Sequence, residues 1–359
     1  MLNQHKLLHE LTNATTSFFV DYQREQIHAS ELWQMVCNDT RLAATIAHTT
    51  WHYLVPRWHE RLDVQQPVAA QQEPYTVFAV DGSQIYPDRH QGLACYVINI
   101  GTALLQYGHK SSAAFTSQPF LFADATYEAH PDLVNCQRTE YEFSAGLALG
   151  QQKPDALFLF DGSLIFWHLD SKEEAVKNRF LMSYCATLQQ LHDHHILHAG
   201  YISLPKSREL VNIVRAAADL RGTVFEGNCL VDTDIAALFL NPRQRTILFE
   251  NRSPIIEAYP PALRPHFFYL HNGVEIVRVE MPAWIAGDEK LVEQLATKIL
   301  DQSLKGNGYP VCLAEAHEQA VVTNADRECF YLLLQRVMQK KNVGYAVSQK
   351  SLHKRVLGI

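Results

Sequence analysis

The tripeptide Asp-Gly-Ser occurs twice in the sequence, each time after a short apolar run that is typical of a buried strand. Asp81 follows Val77–Val80, and Asp161 follows Leu157–Phe160. The glycine beside each acid allows another backbone or a phosphate group to approach closely. Carboxylates that converge in a protein repel each other unless a metal ion or a proton lies between them. Two such acids on neighbouring strands therefore indicate a metal site, whereas each tripeptide alone is also a common turn after a strand.

A divalent metal site requires further ligands. Mg²⁺ and Mn²⁺ prefer hard oxygen ligands, usually carboxylates together with water and phosphate oxygens, so we expect a third acid near the first two. The helix predicted over residues 133–150 offers Glu140 and Glu142, which lie two positions apart and therefore point to different sides of that helix. We prefer Glu142, although the helix period alone leaves Glu140 open.

Histidines provide a fourth candidate ligand. His317 lies just beyond an apolar segment that ends at Ala314, and a histidine there can bind a metal or move a proton. The alternative is a histidine with a structural role at a helix start, since the chain has 18 histidines. His194 and His198 have the i, i+4 spacing of a helical metal site, but a solvated helix end is the favoured interpretation.

Composition limits the classes of protein to consider. The chain has 359 residues, 47% hydrophobic and 19% charged, which is typical of a folded globular protein. A formal net charge of −7 argues against a protein that coats nucleic acid by bulk charge, but it allows a local basic groove. No apolar stretch approaches the ~20 residues of a membrane span, so we expect no membrane partner. The seven scattered cysteines lack a Cys-x-x-Cys pair, which favours reduced thiols in a cytoplasmic protein.

The elements that must position these residues follow from periodicity. Residues 1–70 are predicted to form an N-terminal helical segment, and residues 63–74 are polar and proline-bearing, as in a linker. From Tyr75 onward strands alternate with helices, which indicates an α/β domain over residues 75–355. Within it we expect a less regular stretch before Asp132 and a long helix over residues 172–199.

Eight segments occur in the order and at the spacing of one known family. They are AVDGSQIYPD, the acid-bearing helix before LFLFDGSLI, ISLPKSREL, DTDIAALFLNPRQRT, FFYL, VRVEMPAWIA, GYPVCLAEAHEQAVVT and SQKSLHKR. Each segment alone is a weak signal, but all eight in the correct order form a strong one. On these residues the chain resembles a bacterial NurA nuclease over roughly residues 75–355.

The resemblance implies a ribonuclease H-like core, with a mixed central sheet flanked by helices, that follows the N-terminal helical segment. It implies a Mn²⁺- or Mg²⁺-dependent DNA nuclease with two ions per site, acting as a 5′–3′ exonuclease and a single-strand endonuclease. It also implies a homodimer that works with a HerA-type hexameric ATPase, either in the resection of DNA ends for repair or in phage defence. The family's metal-binding and catalytic residues fall on Asp81, Glu142, Asp161 and His317.

The resemblance also suggests residues that contact DNA. The lysine of the family's Lys-Ser turn falls on Lys206, a further acid falls on Asp232, and the terminal Ser-x-Lys falls on Ser348 and Lys350. Lys206 and the nearby Arg208 can contact phosphate, although exposed loop charges need no such role.

Two tyrosines are further DNA-binding candidates. Tyr269 and Tyr309 can stack on unpaired bases. Packing in the core or at an interface is the alternative for both.

Two other functions compete with the nuclease hypothesis. An actin-like or sugar-kinase-like ATPase shares the core fold and places Asp-Gly turns on phosphate, but the segments VDGSQ and FDGSL are poor in the glycine and threonine of such phosphate loops. The other is a DNA-end clamp or scaffold without catalysis, which would bind DNA equally in EDTA and in Mn²⁺ and never cut it. The presence of all four expected site residues argues against the clamp.

Overall fold

The N-terminal helices end at His48, earlier than the helical segment predicted over residues 1–70. The computed structural model describes residues 2–18, 23–72, 74–88, 95–123 and 130–341. Helices α1 (Gln4–Phe18), α2 (Gln23–Asn38) and α3 (Thr40–His48) come first. Asp39 caps α3, because its carboxylate accepts hydrogen bonds from the backbone N–H groups of Arg41 and Leu42 in the first turn of that helix.

One mixed sheet forms the centre of the described chain. Its strands are β1 (Gln66–Pro67), β2 (Tyr75–Ile85), β3 (Cys95–Tyr107), β4 (Ser112–Ala123), β5 (Leu157–Asp161), β6 (His198–Ile202), β7 (Gln244–Arg245), β8 (Phe249–Glu250), β9 (Pro265–His271) and β10 (Ile276–Pro282). They lie in the order β1-β7-β9-β10-β6-β5-β2-β3-β4, with β8 beside β9. The pairs β2–β5 and β5–β6 are parallel and the other pairs are antiparallel.

Helices cover both faces of this sheet. They are α4 (Pro131–Gln152), α5 (Glu174–Asp193), α6 (Glu209–Leu220), α7 (Asp232–Ala236), α8 (Ala283–Ala286), α9 (Glu289–Lys305), α10 (Val311–Ala320) and α11 (Asn324–Lys340). On one face Phe78 and Phe158 pack under α4 and α5, and on the other Val77 and Leu157 pack under α9 and α10. Because β2 and β5 are buried on both faces, their sequences are continuous apolar runs.

A third apolar core joins α2 and α3 to the rest of the fold. Trp33 and Ile46 pack with Val211 of α6 and with Phe267 of β9. The polar segment 63–74, predicted to be a linker, contributes β1, which pairs with β7. That prediction is therefore wrong for residues 66–67, because their backbone groups extend the sheet.

The mixed sheet flanked by helices confirms the α/β class, but two elements differ from prediction. The stretch before Asp132, expected to be irregular, contains the edge strand β4, whose side chains are mostly exposed and therefore lack apolar alternation. Pro119 is tolerated there because β4 pairs on one side only.

The helix predicted over residues 172–199 ends at Asp193, and His195 adopts a positive φ of 54° before β6 begins at His198. His194 and His198 are thus not one helical turn apart, so the helical metal-site interpretation is wrong. No helix of the described residues is long and apolar enough to cross a membrane.

Candidate active site

The parallel pairing of β2 with β5 brings the two Asp-Gly-Ser acids together. The register runs from Val77 beside Leu157 to Val80 beside Phe160, so Asp81 and Asp161 follow at the same level. Asp161 ends β5, whereas β2 continues past Asp81 to Ile85 because it remains paired with β3. The expectation that both acids end their strands is therefore correct for Asp161 and wrong for Asp81.

Glu142 reaches the two acids from α4, across Gly82. A Cβ atom on Gly82 would lie 2.6 Å from Glu142 Oε1, so only glycine leaves room for this approach. Arg138 Nε lies 3.1 Å from Glu142 Oε1, and the Glu142 side chain is 15% exposed. The pKa of Glu142 is raised to about 7, mainly by burial and also by the charges of Asp81 and Asp161, against the lowering effect of Arg138.

The two candidate glutamates of α4 face different surroundings. Glu142 interacts with both Asp-Gly-Ser acids. The charge of Glu140 instead raises the pKa values of Cys136 and Tyr184, in the core between α4 and α5. Of the two, Glu142 is the one that lies at the candidate site.

His317 approaches Asp81 from α10. The His317 Nδ1 atom lies 2.8 Å from Asp81 Oδ2, and the imidazole is 59% exposed while the aspartate is 20% exposed. The other oxygen, Asp81 Oδ1, accepts a hydrogen bond of 2.8 Å from the Gly82 N–H. Both oxygens of Asp81 are thereby oriented, and the Nε2 atom of His317 is left for another partner.

The first Asp-Gly-Ser motif also holds the end of α10. The Ser83 hydroxyl and the Asn99 side-chain amide both donate hydrogen bonds to the carbonyl of Ala320, the last residue of the helix. A Cβ atom on Gly101 would lie 2.3 Å from the Ala320 nitrogen, so α10 packs directly on the backbone of β3. These contacts keep His317 beside Asp81.

Tyr309 lies next to Asp161. Burial raises the pKa of Asp161 most, the Tyr309 hydroxyl lowers it through a hydrogen bond, and the charge of Asp81 raises it again. Burial and Asp161 also raise the pKa of Tyr309, so the phenol stays protonated and can donate. Predicted as a base-stacking residue, Tyr309 contributes its hydroxyl to a site carboxylate, and its ring packs edge-on against Tyr201 at 5.6 Å.

The second Asp-Gly-Ser motif turns away from the sheet at Gly162, which has a φ of +124°. Glu280 of β10 holds this turn: its Oε2 atom accepts hydrogen bonds from the Ser163 hydroxyl at 2.7 Å and from Leu164 N at 2.8 Å. Glu280 Oε1 accepts from Arg278 Nε at 2.7 Å. Sequence reasoning missed this pair, although Arg278 and Glu280 alternate within an apolar strand, where charges need partners.

Several predicted DNA-binding residues lie elsewhere. Tyr269 is fully buried, and its hydroxyl donates to Asp232 at 2.7 Å, so the prediction that it stacks on a base is wrong. Asp232 accepts hydrogen bonds from three backbone N–H groups at the start of α6 and has a structural role there. Arg208 donates to the Gly227 carbonyl, whereas Lys206 is exposed.

The predicted terminal pair, Ser348 and Lys350, lies outside the described residues.

The donor chemistry of the site matches a hard divalent cation. Asp81, Glu142 and Asp161 supply carboxylate oxygens at one edge of the sheet. The charges of Asp81 and Asp161 raise the pKa of Glu142, and the charge of Asp81 raises the pKa of Asp161, which a cation between them would relieve. Among the described residues, no three His, Cys, Asp or Glu side chains are already arranged around one common ion position. Instead, Glu142 is paired with Arg138 and Asp81 with His317.

Comparison with known proteins agrees with this geometry. The model of the NurA domain family matches residues 75–322. The crystal structure of the NurA nuclease from Sulfolobus solfataricus aligns with a TM-score of 0.57 at 18% sequence identity, covering 95% of this chain and 98% of that one. This match shows that the two chains share a fold, with a mixed central sheet flanked by helices.

Other solved structures are more distant. Endonuclease V from Ciona intestinalis, in complex with DNA, aligns with a TM-score of 0.31 at 13% identity over 70% of this chain and 86% of that one. LC9-RNase H1, a type 1 ribonuclease H, gives 0.25 at 12% identity over 44% and 78%. These two add no argument at such distances. No protein of curated function matches the chain in sequence.

Proposed function

The chain belongs to the NurA family, and from that premise we propose that it is a metal-dependent deoxyribonuclease that hydrolyses phosphodiester bonds at DNA ends. One observation carries the proposal: three carboxylates on β2, β5 and α4 converge at one edge of the sheet, where the charges of Asp81 and Asp161 raise the pKa of Glu142. Such a set is suited to Mn²⁺ or Mg²⁺ and a phosphate oxygen, and it has no evident structural purpose.

Asp81, Glu142 and Asp161 would hold the metal, with two ions per site as the family resemblance implies. Bound there, the ions would activate water and stabilise the leaving 3′-oxygen. Tyr309 orients Asp161 through its hydroxyl, and Gly82 orients Asp81 through its N–H. The Nε2 atom of His317 faces away from Asp81, where it can bind a metal or accept a proton.

Lys206 is the most suitable of the predicted phosphate contacts, because its exposed ammonium lies on the turn after β6. Arg208 is bound to a backbone carbonyl, so we assign it to holding that turn. The cysteines are all unpaired in the structure, which agrees with our proposal of a cytoplasmic enzyme.

We further propose a homodimer that receives DNA from a HerA-type hexameric ATPase and acts as a 5′–3′ exonuclease and single-strand endonuclease, in repair or in phage defence. These features rest on the family resemblance. Light scattering is expected to give twice the chain mass. Cleavage of long duplex DNA is expected to need both the ATPase and hydrolysable ATP. Cleavage at the same rate without the ATPase would contradict the proposed partnership.

The central test is the cleavage of end-labelled linear DNA in Mn²⁺, Mg²⁺ or EDTA. We expect metal-dependent cleavage that falls by at least about a hundredfold in D81N and in D161N, because each substitution removes a charged ligand without changing the shape of the side chain. D155N is the matched control, since Asp155 is an exposed acid before the other end of β5.

Full activity in D81N or D161N would contradict the proposal. Equal DNA binding in EDTA and Mn²⁺, without cleavage under any condition or with the ATPase, would favour the clamp instead.

A further inference from the structure

A cavity of about 480 Å³ lies beside the candidate active site. It is bounded by the second Asp-Gly-Ser turn, through Ser163, and by the turn after β6, through Pro205 and Lys206. Strands β5 and β6 are parallel and both end at this edge of the sheet. Ligands of α/β sheets bind outside the carboxyl ends of parallel strands, and Ser163 in the wall of the cavity lies two residues after Asp161.

The lining of the cavity combines an aromatic wall with cations. Trp167 is 41% exposed although it lines the cavity, and Leu54 and Pro205 add apolar surface. Lys206 is exposed at the rim. A flat aromatic ring beside a free ammonium is suited to a ligand with a flat ring and an anionic group.

The cavity is also lined by the buried guanidinium of Arg278, which has a hydrogen-bond donor without a protein acceptor among the described residues. Arg278 is 2% exposed, its Nε donates to Glu280 at 2.7 Å, and its Nη1 donates to Glu209 at 2.9 Å. Its Nη2 atom makes no hydrogen bond to any residue that the structure describes. Because Arg278 lines the cavity, this nitrogen can donate to an acceptor that enters it.

We propose that this cavity binds one unpaired nucleotide of a DNA strand that lies in the candidate active site, with its base against Trp167 and its phosphate beside Lys206. The inference rests on the proposed function, since it presumes that DNA reaches Asp161. The volume is that of a small-molecule pocket, which admits one nucleotide and excludes a duplex. A base paired within a duplex is stacked on its neighbours and cannot lie on Trp167, so the subsite selects single strands.

Binding in EDTA separates the subsite from catalysis. A fluorescent oligothymidine is titrated with the full-length protein, and its anisotropy is recorded. Base stacking on an aromatic side chain is worth ~1–3 kcal/mol, so W167A is expected to bind about 5- to 150-fold more weakly and W167F to stay within about threefold of wild type. M182A is the matched control, because Met182 is 73% exposed on α5 and does not line the cavity.

An abasic scan needs no variant and tests the same contact from the DNA side. Oligothymidines with one abasic position each are bound to the wild type and to W167A. We expect one position to weaken wild-type binding and to have no further effect in W167A. Equal penalties in both proteins, or W167A binding like the wild type, would overturn the subsite.

The same oligonucleotides in Mn²⁺ distinguish the two possible failures. If the wild type cuts the oligonucleotides and W167A binds and cuts them equally well, the nuclease proposal is supported and the subsite proposal is contradicted. A wild type that neither binds nor cuts single strands would overturn the subsite and the proposed single-strand activity. A wild type that binds through Trp167 but does not cut, either alone or with the ATPase, would support the subsite and contradict the nuclease.

Discussion

The two Asp-Gly-Ser motifs have the same sequence but different backbones. The first lies inside β2, which continues to Ile85, and the second ends β5 and turns at Gly162 with a φ of +124°. The difference arises from the neighbouring strands: β2 has β3 beside it throughout, whereas Gly162 leaves the sheet over Gly200, where a Cβ atom would lie 2.4 Å from the Gly162 carbonyl.

Each glycine is therefore required for a different reason. Gly82 leaves room for the side chains of Glu142 and Arg138, whereas Gly162 has open space around it and is needed for its positive φ. The serines differ as well, because Ser83 holds the end of α10 and Ser163 holds its own turn on Glu280. The repeated tripeptide thus places an aspartate at the candidate site twice, and a different set of contacts holds each of the two motifs.

Replacing each glycine by alanine separates these two roles, and G82A has the largest expected effect on cleavage. In G82A the new Cβ would lie 2.6 Å from Glu142 Oε1 and 2.8 Å from Arg138 Cγ, so Glu142 must move. A displacement of about 1 Å at such a site costs about a hundredfold in rate, and we expect that loss in kcat/KM for DNA cleavage in Mn²⁺.

G162A is the matched comparison for G82A. It adds a methyl group where no atom lies within 4 Å, but at an unfavourable φ, and it is expected to cost about 1–3 kcal/mol of unfolding free energy. Wild-type activity in G82A would show that cleavage does not depend on the observed position of the Glu142 carboxylate.

Removing Glu280 tests the support of the second motif. E280A leaves Arg278 with one carboxylate partner fewer in the interior, and breaking a buried ion pair in this way costs about 3–5 kcal/mol. The Ser163 turn also loses its acceptor, so we expect Mn²⁺-dependent cleavage to fall about 10- to 100-fold.

E280Q keeps an oxygen for the turn and is expected to recover most of the activity but less of the stability, as measured by urea unfolding. Equal losses of activity in E280A and E280Q would show that the charge, and not the held turn, is what matters.

Glu142 gives the metal-free protein a defined pH dependence. Its folded pKa of about 7 lies above the ordinary value of 4.5, so its contribution to stability is complete below pH 4.5 and is lost as the pH rises through 7. The difference corresponds to roughly 3 kcal/mol of unfolding free energy. Wild type in EDTA is therefore expected to lose more unfolding free energy between pH 5 and pH 8 than E142Q, as measured by urea titration.

E140Q provides the control on the same helix and is expected to follow the wild type. An E142Q variant that loses as much stability as the wild type over this range would contradict the assignment. Added Mn²⁺ is expected to stabilise the wild type more than E142Q at pH 8, because the ion replaces the missing countercharge.

An element can be predicted from the sequence when its pattern lies within the element itself, and not when it depends on contacts with other elements. The strands of Asp81 and Asp161 were predictable because a strand buried on both faces is continuously apolar, and α4 because its pattern is helical. Strand β4 was not predictable, because an exposed edge strand has little apolar alternation. The end of α5 at Asp193 was also missed, since helix ends are set by backbone turns such as His195.

The site divides in the same way. Asp81 and Asp161 carry a motif that can be seen in the sequence, and family resemblance pointed to Glu142 and His317, which the structure brings to the same edge. The Tyr309 hydroxyl and the Glu280 carboxylate act through contacts between elements that are more than a hundred residues apart. Such contacts cannot be predicted from the amino-acid sequence until the order of the strands in the sheet is known.

Replacing the two serines tests the comparison most directly. S83A removes one of two donors to the Ala320 carbonyl, because Asn99 still donates at 2.9 Å, so we expect a loss of about 0.5–1.5 kcal/mol of unfolding free energy. S163A removes a donor to an ionised carboxylate and is expected to cost about 1.5–3 kcal/mol.

Combining each serine variant with H317A separates the two supports. Since Ser83 acts through α10, its effect on cleavage is expected to shrink in H317A, whereas the effect of S163A is expected to be the same with or without His317. The rates of the four variants in each double-mutant cycle, measured in Mn²⁺, provide this comparison. Coupling of S163A to H317A as strong as that of S83A would mean that the two motifs share one support, contrary to the contacts observed at Ala320 and Glu280.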